Sequence, residues 1–345
     1  MKLQNDSEKL FRRVINRIGI AMLLFLAILN ILAIIWNITV EILSLSISGV
    51  RLKVIEQLLY AVIYLASFMI PALILKKLLG KDYRPMMLEP KIPADSAAYV
   101  FAGIALILSM AVINSMFVSI FNYSEFSSEF LWGNEPMSNY EVVLAFITTA
   151  MVPAFCEEFL FRGAILSSLK PFGKAPAIII SAVLFGLMHQ NAEQLLYATA
   201  AGLVLGFVVY ETGSMWCSIL IHFINNFISV LQTSVLDRLP SYTGTVVSYV
   251  FQGTLFAVGI CCLVYLVTKK SKEKKLSKAL LDDGIYGKTL EELADGSEAV
   301  IKLRSGRMTK LFFSPAMIVF IVLSALTMAY YILLSVLNGM GVQII

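Results

Sequence analysis

Nine apolar runs, most of them close to twenty residues long, dominate this 345-residue chain and leave it few folds to choose from. They lie at 18–40, 57–75, 97–120, 142–168, 175–191, 194–211, 214–232, 246–268 and 312–337. A helix rising ~1.5 Å per residue needs about 20 mostly apolar residues to cross ~30 Å of hydrocarbon. The expected fold is therefore all-α: a polytopic membrane bundle of eight helices followed by a ninth near the C-terminus. Apolar residues make up 59% of the sequence and charged residues 14%, against about 45–50% and about 25% in soluble domains. That balance excludes disorder, coiled coil, collagen and nucleic-acid binding. The first run is too long for a cleaved signal peptide. The four cysteines (Cys156, Cys217, Cys261, Cys262) sit in apolar runs without framework spacing, so they read as buried hydrophobes.

Lys and Arg set an expected orientation, because short cytoplasmic loops hold the excess. Segments 1–17, 76–91 and 269–311, with Arg162, Lys170 and Lys174, hold 24 of the 27 positive residues. The opposite side receives Arg51, Lys53 and Arg238, and its acidic loop 121–141 has neither Lys nor Arg. An N-terminus in the cytoplasm and a C-terminus outside satisfy every loop. The chain then divides into three N-terminal spans (1–139), a helical core (140–235), an eighth span (236–268), a basic cytoplasmic segment (269–311) and a C-terminal span (312–345). The basic segment reads as an ordinary positive-inside anchor, with anionic headgroup binding as the alternative.

Ionisable side chains inside a span cost ~2.5–3.5 kcal/mol each and call for a functional explanation. They concentrate in three helices: Glu157, Glu158 and Arg162 in the fourth, His189 in the fifth, and His222 with Asn226 in the seventh. Glu158 and Arg162 are i,i+4 and share a face, so they are expected to form an ion pair. Glu157 points about 100° away and stays available for other work. His222 and Asn226 are again i,i+4, and His189 stacks over Phe185. Counting residues from the helix ends puts Glu157 ~13–17 Å, His222 ~12 Å, Asn226 ~18 Å and His189 ~20 Å from the cytoplasmic surface. Four polar groups from three helices thus fall within one layer.

A carboxylate, two imidazoles and a carboxamide suit water activation, with Glu as base, His orienting the water and Asn donating to an oxyanion. Glu157, His189 and His222 could instead hold one Zn²⁺ with a fourth position open. Either arrangement favours amide hydrolysis. The soluble zinc-protease pattern His-Glu-x-x-His is absent.

Glu157-Glu158-x-x-x-Arg162, Phe185-x-x-x-His189 and His222-x-x-x-Asn226, in that order, resemble the three motifs of the CPBP family. These are the CAAX-protease-like and bacteriocin-processing intramembrane proteases, also called the Abi family. Gly202 through Gly206 and Glu211 through Trp216 look similar to that family too, and the resemblance covers about residues 140–235. It implies a membrane-embedded endopeptidase of the glutamate or zinc type, acting near the cytoplasmic face on a membrane-bound or lipidated peptide or protein. By that analogy Glu157 is the general base, His189 holds the water, His222 and Asn226 meet the oxyanion, and Glu158–Arg162 is structural. The expected setting is the lipid bilayer of a bacterial plasma membrane, with the oligomeric state left open. The rival reading is an ion-coupled transporter, or a non-catalytic immunity or regulatory protein, that uses the same buried groups as ligands.

Overall fold

The computed structural model describes residues 2–80, 93–121, 138–236, 239–282 and 307–339. Most of the acidic loop 121–141, part of 76–91 and most of 269–311 lie outside the described residues. What is described is helical, with no strand among the described residues. Eight helices are long and apolar enough to cross a membrane.

Helix α1 (Lys2–Ser44) packs on α2 (Val50–Leu79). Phe11, Ile15, Ile18, Met22 and Phe25 recur every three to four residues and are buried, which makes one inward stripe. Beyond Leu29 the residues Ile31, Ile34, Ile35, Ile38 and Ile42 are exposed, as suits a lipid-facing surface. Helix α3 (Ser96–Phe121) follows. The fourth unit, α4 (Asn139–Phe172), is not the regular helix that its hydropathy suggests. Two π-helical segments interrupt it, at Phe146–Met151 and Phe159–Leu166. Pro153 sits just past the first and has no N–H to give to the carbonyl four residues back. Next to it the Val152 N–H bonds to Ile147 O, five residues back. The second π segment opens directly after Glu158, and such bulges frequently mark functional sites.

Helix α5 (Lys174–Met188) has 15 residues and is ~22 Å long, too short to cross ~30 Å of hydrocarbon. It ends at His189, and Gln190 turns the chain with φ 53°. Asn191 then caps α6 (Ala192–Thr212) by accepting from Glu193 N at 2.9 Å. The tight α5–α6 hairpin expected at Gln190–Asn191 is therefore present. The two helices touch closely because Gly202 has no side chain. A Cβ there would stand 2.9 Å from Ala182 Cα.

Helices α7 (Met215–Ser234), α8 (Ser241–Asp282), the short α9 (Arg307–Phe312) and α10 (Pro315–Gly339) complete the set. The boundary expected at residue 268 is not a structural break. Helix α8 runs on to Asp282, because Lys, Glu, Ala and Leu favour helix and neither Gly nor Pro appears before Gly284.

Contacts between helix ends fall into two groups. Asp95, before α3, pairs with Lys269, far along α8. Glu211, at the end of α6, pairs with Lys174 at the start of α5 and with Lys270. Phe11 packs edge-on against Phe172, and the Ala316 N–H donates to Asn16 Oδ1. The other end gathers Lys53 with Glu141 and Gln232 with Ser248.

Candidate functional site

Helices α2, α4, α5 and α7 bring the buried polar groups together. Arg162 Nη1 lies 2.7 Å from Glu158 Oε1, and both side chains are fully buried. The guanidinium also donates from Nη2 to the Gly202 carbonyl at 3.1 Å, and its Cζ lies 4.5 Å from the centre of the Phe185 ring. A charge buried this deeply needs such partners, since an unpaired one costs several kcal/mol. Arg162 thereby ties α4 to α5 and α6.

His222, on α7, faces both glutamates. Its Nδ1 is 3.2 Å from Glu158 Oε1 and its Nε2 is 3.8 Å from Glu157 Oε2. Glu157 and Glu158 diverge along the helix, yet the two nitrogens of one ring meet both of them. Glu158 Oε1 accepts from Arg162 as well, so Nδ1 is the natural donor of the ring and Nε2 turns toward Glu157. Glu157 is 3% exposed and His222 7%. Glu157 Oε1 accepts from the Tyr64 hydroxyl of α2, while its Oε2 has no hydrogen-bond partner among the described residues.

His189 reaches the cluster through Phe185. Its Nδ1 lies 2.8 Å from Phe185 O, and because a carbonyl only accepts, the proton sits on Nδ1 and Nε2 carries the lone pair. The Phe185 ring stands edge-on to both imidazoles, 5.1 Å from His189 and 5.8 Å from His222. Asn226 bonds elsewhere: the Tyr197 hydroxyl donates to Asn225 Oδ1 at 2.5 Å, and Asn225 Nδ2 donates to Asn226 Oδ1 at 3.2 Å. With its oxygen so engaged, Asn226 keeps its amide nitrogen for donation. His222 thus stands between Glu157 and the Glu158–Arg162 pair, with His189 one ring away and Asn226 one helical turn along.

Zinc would need Glu157, His189 and His222 to converge at ~2.0–2.2 Å from one point. Among the described residues no group of three His, Cys, Asp or Glu side chains stands close enough to hold a metal ion. The residues as placed do not fit zinc. A cavity of about 550 Å³ lined by Gln232, Ser248 and Gln252 opens toward the other end of α7 and is separate from this cluster.

Spacing within single helices does not reveal Tyr64, which joins Glu157 from 93 residues away. The available signal is a hydroxyl-bearing ring, with Tyr60 one turn before it, inside an apolar span. Asn225, which reads as interhelical glue, is a link between Tyr197 and Asn226.

Residues 139–228 match the family model described as type II CAAX prenyl endopeptidase Rce1-like. The resemblance to the CAAX-protease family carried by the three motifs is shown for this segment. The chain is also 33% identical over 95 residues to the Bacillus subtilis (strain 168) protein named "Putative membrane peptidase YdiL". That match spans 26% of this chain and 38% of the relative. No solved structure matches the chain.

Proposed function

We propose that this protein is an intramembrane endopeptidase that hydrolyses a peptide bond in a membrane-bound or lipidated substrate, close to the cytoplasmic ends of its helices. The observation that carries the reading is Glu157 Oε2: buried, without a hydrogen-bond partner among the described residues, and 3.8 Å from His222 Nε2. A water beside that pair gives its proton to Glu157. His189 Nε2 accepts the second hydrogen and orients the attacking lone pair. Hydroxide adds to the carbonyl carbon, and the oxyanion takes a donor from Asn226 Nδ2, with the His222 ring, held at Nδ1 by Glu158, beside it. Glu157 then returns its proton to the departing amide nitrogen as the C–N bond breaks. Every proton is accounted for by this chain's own residues, and the mechanism proposed is metal-free.

The description of the matched family makes a prenylated C-terminal peptide the substrate class to try. The test is cleavage of a farnesylated peptide ending in Cys-aliphatic-aliphatic-X by the purified protein in liposomes. Glu157→Gln is expected to lose about 10²- to 10⁴-fold in rate while unfolding at the wild-type temperature, and His189→Ala is expected to be strongly impaired. Wild-type cleavage by both variants would sink the reading. Metal analysis together with chelator treatment separates the glutamate mechanism from a zinc one.

A further inference from the structure

We infer that Tyr64, on a helix outside the segment matched by the family model, is a positioning residue that fixes the reactive oxygen of Glu157. The inference rests on the hydrolase reading given above and goes beyond it, because nothing in residues 139–228 supplies this contact.

The phenol donates to Glu157 Oε1. A carboxylate rotates about its last bond with two nearly equivalent oxygens, so an unheld Glu157 presents either oxygen in a range of directions. The Tyr64 bond removes that freedom. It occupies Oε1 and leaves Oε2 as the basic oxygen, turned to His222 Nε2 at 3.8 Å. In a buried site a single donor to a carboxylate is among the stronger hydrogen bonds.

Tyr64 is itself held. Its ring stacks on Phe68 with centroids 4.8 Å apart and planes at 28°. Phe68, 1% exposed, meets Phe25 of α1 at 4.8 Å. On the other side the Tyr60 ring lies at 5.6 Å. A column of aromatic rings thus runs from α1 through α2 to the carboxylate. A ring with two torsions, packed against two neighbouring rings, gives its hydroxyl little room to wander. This arrangement assigns the N-terminal helices a task in the chemistry: they complete a centre whose other members all come from α4 to α7.

The experiment compares Tyr64→Phe with Tyr60→Phe in the full-length protein in liposomes, using the farnesylated peptide as probe. Tyr64→Phe removes one oxygen and keeps the column. It is expected to lower kcat about 10- to 100-fold, the usual range for removing a group that orients a reacting residue, with KM and the unfolding temperature unchanged. Tyr60→Phe deletes the same atom one turn away and is expected to keep wild-type kcat. Wild-type kcat in Tyr64→Phe, or equal losses in the two variants, overturns the inference.

A second readout does not depend on turnover. The infrared carboxylate bands of Glu157, isolated as the difference between wild type and Glu157→Gln, should shift in Tyr64→Phe and stay in place in Tyr60→Phe. Bands that do not move in Tyr64→Phe also overturn it. A wild-type protein that leaves the probe uncut counts against the hydrolase reading, while the infrared comparison still decides whether Tyr64 holds Glu157.

Discussion

Two ion-pair clusters, one in the middle of the bundle and one at its charged end, use the same side-chain chemistry in opposite surroundings. In the middle, Glu158 and Arg162 are both 0% exposed, and the pair is braced by Gly202 O and His222. At the end, Glu211 receives Lys174 and Lys270, whose side chains remain 43% and 49% exposed. The lysines also lie over rings, Lys174 4.6 Å from the centre of Phe207 and Lys270 5.7 Å from that of Tyr99. In the interior neither charge has water to fall back on, so each must keep its partner. At the end Glu211 is 14% exposed, but each lysine exchanges its partner for water at little cost. The inner cluster therefore defines the fold of the site, and the outer one adjusts how α5, α6 and α8 meet.

The largest effect that tests this contrast comes from Arg162→Ala. Removing the guanidinium strands Glu158 in an apolar interior, and breaking a buried pair typically costs ~3–5 kcal/mol. The variant should unfold in detergent at a much lower temperature than Glu157→Gln, which changes a carboxylate to a carboxamide without uncovering a charge. Equal unfolding temperatures for the two would erase the proposed division between a structural Glu158 and a working Glu157. Lysine should not substitute for arginine, because one ammonium on a flexible stem lacks the planar fork that serves Glu158 and Gly202 together.

How far the sequence anticipates the inner cluster depends on how local each contact is. Glu158–Arg162 lies within one helical turn, so the i,i+4 rule reads it directly. The same holds for His189 over Phe185. The hairpin at Gln190–Asn191 is legible from two polar residues between apolar runs. Other features depend on geometry that no periodicity encodes. An expectation built on a regular α-helix cannot place Glu157 and Glu158 around one imidazole, because that convergence depends on where α7 crosses α4. The two π segments depend on how α4 packs, and of the two only the first has a local sign, in Pro153. Tyr64 comes from a different pair of helices altogether. Tyrosine in an apolar span reads first as an interfacial residue, and only its contact with Glu157 shows otherwise.

Glu211→Gln should do far less than Arg162→Ala. It leaves Lys174 and Lys270 without an anion, but both keep water and aromatic faces. The expected loss is below ~1 kcal/mol, as for other exposed pairs, and should shrink further in ~1 M salt, where the screening length falls to ~3 Å. Thermal unfolding in detergent at low and high salt checks this. A loss as large as that of Arg162→Ala, or one that salt does not touch, would mean that the end cluster is buried in the membrane more deeply than its exposure implies.

The smallest expected effect sharpens the contrast by its dependence on pH. Asp95 lies just ahead of α3, where Lys269 and the Tyr265 hydroxyl both bond to its carboxylate. The Lys269 hydrogen bond, aided by that cation's charge and by Tyr265, holds the carboxyl below its ordinary value of 3.8. A carboxyl that binds its proton less readily in the folded state stabilises that state wherever the unfolded chain would already be ionised. The contribution is therefore fully present above 3.8 and fades as pH drops below that value through the lowered native one. Asp95→Asn has no such carboxyl. The gap in unfolding temperature between wild type and Asp95→Asn should be small and constant from neutral pH down to mild acid, then close in stronger acid. A gap that survives unchanged in strong acid would show that Asp95 acts through neutral hydrogen bonding to α8. The end cluster would then resemble the inner one in depending on fixed partners instead of exchangeable ions.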